Sequence, residues 1–166
     1  MATFPSRRRL LSCLGVVVLE ATARSADAQS AADVTAPIQQ FYQALLAIMK
    51  AGRTTPFTQR FATLAPVLEK SFDLPAILRA AVGLGWSSFQ PAQQQDVLTA
   101  FRRYTVATWV SNFDSYDGQQ LSILPALRRA GSAEVVQTKV VKRTGGANVI
   151  DYVMRQASGP WRVADV

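Results

Sequence analysis

Near Gly118 the hydrophobic pattern of this sequence changes period, and that change restricts the fold more than any composition does. Upstream, apolar residues recur every three or four positions, as on an amphipathic helix; downstream they alternate, as on a strand with one buried face. Helices first and strands second do not make alternating βαβ units. The pattern predicts an α+β fold, N-terminal helices packed on one face of a curled antiparallel four-stranded C-terminal sheet. A chain of 166 residues has room for one such core without disulfide staples.

The helical half reads in four pieces. Ile38, Phe41, Tyr42, Leu45, Leu46 and Met49 stripe a helix expected to begin at Pro37, with Thr35 or Asp33 as cap, and to stop at Gly52. Thr55-Pro56 starts a second, with Phe57, Phe61, Leu64 and Leu68, which Pro66 is expected to kink or divide at Ala65. Asp73 caps a third through Ile77, Leu78 and Val82, ended by Gly83 and Gly85. Pro91 opens the segment expected to be longest, with Val97, Leu98, Phe101, Tyr104, Thr105, Thr108, Trp109 and Asn112 on one broad face.

The strands are expected at 120–124, with Leu127 as an outer limit, then 134–142, 148–156 and 160–166. Arg143-Thr144-Gly145-Gly146 and Ser158-Gly159 serve as hairpin turns. Alternation turns Ile150, Tyr152, Met154, Trp161 and Val163 toward the helices. It leaves the second strand undecided, with Val135 and Val141 on one face and Val136 and Val140 on the other.

Residues 1–28 read as a cleaved export signal: Arg7, Arg8 and Arg9, an apolar run at 10–19, then small residues ending Ala26-Asp27-Ala28. The Ser6-to-Leu11 stretch also fits a twin-arginine signal, and the apolar run is too short to span a bilayer. Residues 29–36 come next as a flexible leader and 37–166 as a single domain. The remaining chain carries 14 basic against 9 acidic residues. In an exported protein, such charge favours lipid head groups or acidic protein surfaces and disfavours nucleic acid. Paired bases such as Arg128-Arg129 are first of all a solvated face.

There is no histidine, and the one cysteine, Cys13, lies in the export signal. That excludes imidazole bases, Cys-His nucleophiles and His/Cys metal sites, so no metal or cofactor is expected. An acid beside a phenol in a greasy pocket could run an isomerase reaction. The nearest such pair, Asp151 and Tyr152, are strand neighbours and point to opposite faces. The chain therefore reads as having no catalytic residues.

Phe72-Asp73-Leu74, Val82-Gly83-Leu84-Gly85-Trp86, and Gln93-Gln94-Gln95 leading to Phe101-Arg102-Arg103-Tyr104 resemble the helical part of the MlaC family, the toluene-tolerance auxiliary proteins. Val136-Gln137-Thr138, Asp151-Tyr152-Val153-Met154 and the stretch from Gly159 to Val166 resemble its sheet. Phe113-Asp114-Ser115-Tyr116 is more similar to the hopanoid-associated HpnM branch. The resemblance implies a periplasmic, non-enzymatic carrier that shuttles a phospholipid or hopanoid between membranes for an ABC-type transport system with membrane-anchored partners. It further implies a lipid cavity between helices and sheet. On the inventory of large groups, Trp86, Phe101, Tyr104, Thr105, Trp109, Phe113, Ile150, Tyr152, Met154 and Val163 are the expected lining. Arg102, Arg103, Lys139, Lys142 and Arg143 are the expected contacts to head groups or a partner. Asp151 and Asp165 are expected to pair with Arg155 or Arg162 on the outer sheet face. Family members continue past the last strand into a closing helix, so this chain is expected to lack that helix.

Overall fold

The computed structural model describes the backbone of residues 17–166 and side chains from Ser30 onward. Arg7 to Arg9 and Cys13, with the side chains of the whole export-signal reading, lie outside the described residues. The chain divides into two compact units, Met1–Ala32 and Asp33–Val166. Among the described residues the first contributes only the start of a helix, and the second carries every other element.

Four helices precede four strands: α1 (Val17–Ala51), α2 (Phe57–Ser71), α3 (Leu74–Val82), a 3-10 turn at Gly83–Ser88, α4 (Pro91–Asn112), then β1 (Gln120–Ala130), β2 (Ala133–Val141), β3 (Ala147–Arg155) and β4 (Arg162–Asp165). The strands form one antiparallel sheet in sequence order. None of the described helices is long and apolar enough to cross a membrane. This is the α+β architecture that the change of period predicts.

The boundaries differ where local chemistry outweighs punctuation. The first helix does not begin at Pro37. It runs back through 29–36, the expected leader, because that alanine-rich stretch holds no glycine and Val34 is buried in the turn before the proline. At 35 residues α1, not α4 with 22, is the longest helix. Pro66 does not divide α2; it and Ala62, whose carbonyl it leaves without an intrahelical donor, both lie on the exposed side, where water can serve. Strand β1 does not stop near Pro125. Its register shifts between Ile123 and Leu127, and the strand resumes as far as Ala130. Proline is tolerated there because β1 is an edge strand and the bulge removes the need for its missing N–H.

The core forms where α1 lies across the sheet. Val34, Ile38, Phe41, Tyr42, Leu45, Ile48 and Met49 from α1 meet Leu64, Leu68, Phe72 and Leu74, with Val136, Tyr152, Met154 and Val163 from the strands. Val136 decides the undecided strand: it pairs with Tyr152, and Thr138 with Ile150, so these residues share the helix-facing side. Val135 on the other side is also covered, at 8% exposure. On α4 the buried pair is Val106 and Val110, while Tyr104 is 70% exposed. The inward stripe is therefore rotated from the expected face, since branched aliphatics pack against α2 and a tyrosine keeps its hydroxyl in water.

The expected cap is present: Asp73 Oδ1 accepts from the Ala76 N–H at 3.0 Å. Just ahead of it, the Asp73 N–H donates to the Val163 carbonyl at 2.8 Å, and Phe72 forms a parallel bridge to Val163. The α2–α3 junction is thus tied to β4. Asp73→Ala is expected to cost about 1 kcal/mol, because it removes the cap and leaves the backbone tie intact. Urea unfolding should show a lower midpoint at constant slope.

Candidate functional site

Three elements converge beside the C-terminal end of α1. Gly52 ends that helix at φ +65°. The segment after α4, residues 113–119, returns alongside it and is pinned there twice. Arg53 makes a two-pronged pair with Asp114, Nε to Oδ2 at 2.7 Å and Nη2 to Oδ1 at 3.3 Å. The Lys50 ammonium stands 5.4 Å from the centre of the Tyr116 ring. The Arg53 guanidinium holds the Asp114 carboxyl below the usual carboxylate range, chiefly through that hydrogen bond.

A second clamp works from behind. Arg60 of α2 is 7% exposed and donates to the Val110 carbonyl at 3.0 Å and to the Thr55 carbonyl at 3.2 Å. It serves a carbonyl in the last turn of α4, where intrahelical donors run out and a cation suits the helix dipole. The α4 terminus is therefore held, and with it Phe113, which stacks on Trp109 at 5.1 Å.

Between this pinned segment and the sheet lies an open cleft of about 450 Å³. Met49, Phe113, Val140 and Ile150 supply its apolar surface, with Asn112, Ser115, Asp117, Gln119, Thr144 and Asn148 around them. Lys142 and Arg143 stand at the β2–β3 hairpin rim. The Arg143 stem lies along Gly118, its Cδ 3.6 Å from where a Cβ would be, and Gly118 itself adopts φ +85°. A side chain at that position would be strained and would crowd the arginine.

Behind the cleft runs a buried chain of hydroxyls. Tyr42 Oη lies 2.7 Å from Thr138 Oγ1 and 3.3 Å from Tyr152 Oη, and Thr138 Oγ1 lies 3.2 Å from the Ile150 carbonyl. Each hydroxyl has one proton, so the chain runs from Tyr152 through Tyr42 and Thr138 to that carbonyl. Burial pushes the Tyr152 phenol far above its ordinary value, assisted by the neighbouring Tyr42, and burial raises Tyr42 as well. A phenol whose folded-state pKa is raised contributes stability that is complete below about pH 10 and declines as the pH rises beyond that value. Alkaline unfolding is therefore expected above about pH 10, and Tyr152→Phe should flatten that decline while costing about 1 kcal/mol near neutrality. Stability measured from pH 7 to 12 on both proteins checks this; parallel curves would contradict it.

Of the residues that sequence singled out, the structure brings Phe113, Ile150, Lys142 and Arg143 to the cleft. Tyr152, Met154 and Val163 lie in the packed core, with Phe101 and Trp109 half-buried against it. Thr105 is half-buried, and its hydroxyl donates to the Phe101 carbonyl at 2.9 Å. Trp86 sits in the 3-10 turn with its ring 6.0 Å from Phe89, and Tyr104 faces solvent. Arg102 is half-buried on α4, whereas Arg103 and Lys139 are exposed. Met49 and Val140 were not expected in the site. Both stand in the apolar patterns of their elements, Met49 in the last turns of α1 and Val140 on β2, and only the packing of that helix end beside the sheet brings them to one cleft.

Asp151 pairs with Arg128, not with Arg155 or Arg162, and accepts from Gln137 Nε2 at 2.9 Å. The register explains the difference: Arg128 pairs with Val135 on β2, two residues from the Gln137 that faces Asp151, so the long arginine reaches diagonally across the middle strand. Asp165 Oδ1 accepts from the Val166 N–H at 2.9 Å. Asp151 thus faces outward while Tyr152 is buried, so the two do not share a pocket.

A family model described as MlaC protein matches residues 39–166. No curated protein matches the sequence. Among solved structures, a phospholipid-binding protein from Ralstonia solanacearum, in complex with a phospholipid, superposes with a TM-score of 0.67 at 21% identity. The alignment covers 78% of this chain and 74% of that one. At that identity the likeness establishes a shared fold.

Proposed function

The chain belongs to the MlaC family, and from that membership we propose that it is a periplasmic lipid carrier. It is exported, takes the apolar part of a membrane lipid into the cleft between α1, the end of α4 and the sheet, and passes it between membranes for an ABC-type transport system with membrane-anchored partners. The observation that carries this reading is the cleft itself. Its volume of about 450 Å³ falls within the roughly 300–1,000 Å³ of small-molecule sites. Its lining combines the apolar side chains of Met49, Phe113, Val140 and Ile150 with polar groups, two cations and the single acid Asp117.

The energetic demand on a carrier is severe. Each CH₂ drawn from a bilayer into water costs about 0.8 kcal/mol, so a sixteen-carbon chain needs roughly 13 kcal/mol of shielding. A flat patch cannot supply that; a cleft with Met49, Phe113, Val140 and Ile150 on its walls can supply part. Trp109, stacked behind Phe113, gives it a direction in which to deepen if Phe113 turns aside. Lys142 and Arg143 suit an anionic head group, which favours a phospholipid over a neutral hopanoid. The phospholipid bound by the Ralstonia solanacearum protein supports the same preference.

Organic extraction of the purified protein followed by mass spectrometry tests the proposal. Near-equimolar phospholipid is the expected result, and hopanoid in its place would move the chain to the HpnM branch. Protein free of extractable lipid would favour a protein-binding adaptor of a membrane complex and overturn the carrier reading.

A further inference from the structure

A second cleft, of about 390 Å³, lies at the other end of β3, between the start of α3 and the β3–β4 turn. Ile150 in the first cleft and Arg155 in the second are five residues apart on that strand, so about 17 Å separates them at 3.3 Å per residue. Three arginines line the second cleft: Arg79 from α3, Arg155 from the end of β3 and Arg162 from the start of β4.

Their arrangement costs the fold stability. Arg155 and Arg162 are directly paired across β3 and β4, and like charges at facing positions of antiparallel strands are destabilising. None of the three has a carboxylate within ion-pair reach among the described residues, where the pairs are Arg53–Asp114, Arg128–Asp151 and Arg129–Glu134. The one acid on the lining, Asp73, is engaged with the Ala76 N–H as the α3 cap. Asp73, Ala76 and Arg79 succeed one another at intervals of three, so one face of α3 brings the third arginine to the strand pair. Ser158, also on the lining, adds a neutral hydroxyl donor. The cleft therefore gathers donors and a net positive charge, three arginines against the single carboxylate of Asp73, and guanidinium groups match the oxygen geometry of phosphate through paired N–H donors.

We propose that Arg79, Arg155 and Arg162 form an oxyanion site for a phosphate group, separate from the lipid cleft. The phosphate belongs either to an anionic lipid at a bilayer surface or to the dissolved ion. The site depends on no property of the first cleft, so failure of the carrier reading leaves it standing.

The test uses the full chain with two probes: inorganic phosphate by calorimetric titration, and vesicles of phosphatidylglycerol with phosphatidylcholine, or of phosphatidylcholine alone, by co-sedimentation. Arg155→Gln and Arg162→Gln should each weaken binding of the responding probe about tenfold or more, the effect of losing one charge-assisted hydrogen bond. Removing the like-charge pair should also raise the melting temperature of Arg155→Gln in phosphate-free buffer, and, where inorganic phosphate is the responding probe, added phosphate should stabilise the parent more than the variant. A vesicle response confined to the anionic lipid assigns the group to the membrane, and a response to inorganic phosphate assigns it to the dissolved ion. Unchanged binding in both folded variants overturns the proposal. So does binding to a glutamate-rich peptide with no response to either phosphate probe, or a lower melting temperature for Arg155→Gln in phosphate-free buffer.

Discussion

Phe41→Ala should cost about 3–5 kcal/mol of folding stability, the range for truncating a fully enclosed aromatic. Phe41 is 0% exposed, and its ring meets Phe72 edge-on at 5.0 Å and Trp109 edge-on at 4.9 Å. It therefore joins α1 to the α2–α3 junction and to α4 at one point. Few atoms nearby can collapse into the space, because the neighbouring rings are themselves held by Tyr152 and Phe113. Set against a typical total of about 5–15 kcal/mol, the loss leaves a protein close to its unfolding threshold. Urea denaturation followed by tryptophan fluorescence measures it, and a change below about 1 kcal/mol would mean that this aromatic junction does not close as described.

Ile150→Trp should sharply reduce lipid recovery while leaving the fold intact. Ile150 is half-buried and lies on the open cleft. A larger side chain there fills empty space, unlike one forced into a close-packed interior, where overpacking costs about 1–3 kcal/mol. Extracted phospholipid should fall by about tenfold or more, since removing two methylenes' worth of buried contact already costs that factor. The circular dichroism spectrum should match that of the parent. Undiminished lipid in a correctly folded Ile150→Trp protein would place the ligand elsewhere.

The architecture was legible because each half of the chain keeps one period, and because Asp73, Gly83, Pro91 and Gly145-Gly146 punctuate it where the elements change. What sequence misjudged lies where tertiary contacts outrank local signals. Pro37 sits inside α1 because Val34, Ile38 and Phe41 are buried on either side of it. Pro125 sits inside β1 because the register shift makes room for it. The site was only half legible. Aromatic bulk drew attention to Trp86 and Tyr104, which lie away from the cleft, whereas Val140 reaches it through its strand register and Met49 through the docking of α1, neither of which a local pattern encodes. Arg60 was invisible for the same reason: in sequence it is one more helix cation, and its partner carbonyl is fifty residues away.

An open sheet has two borders at which a foreign strand could add, and among the described residues one is engaged and the other interrupted. Along β4 the backbone is short and already engaged by Phe72 and Asp73. Along β1, Pro125 interrupts the row of donors, the bulge bends it, and Arg128 and Arg129 set charge at its far end. Backbone addition is thereby occupied at β4 and opposed at β1, which are the means by which an open sheet limits edge-to-edge association without closing into a barrel.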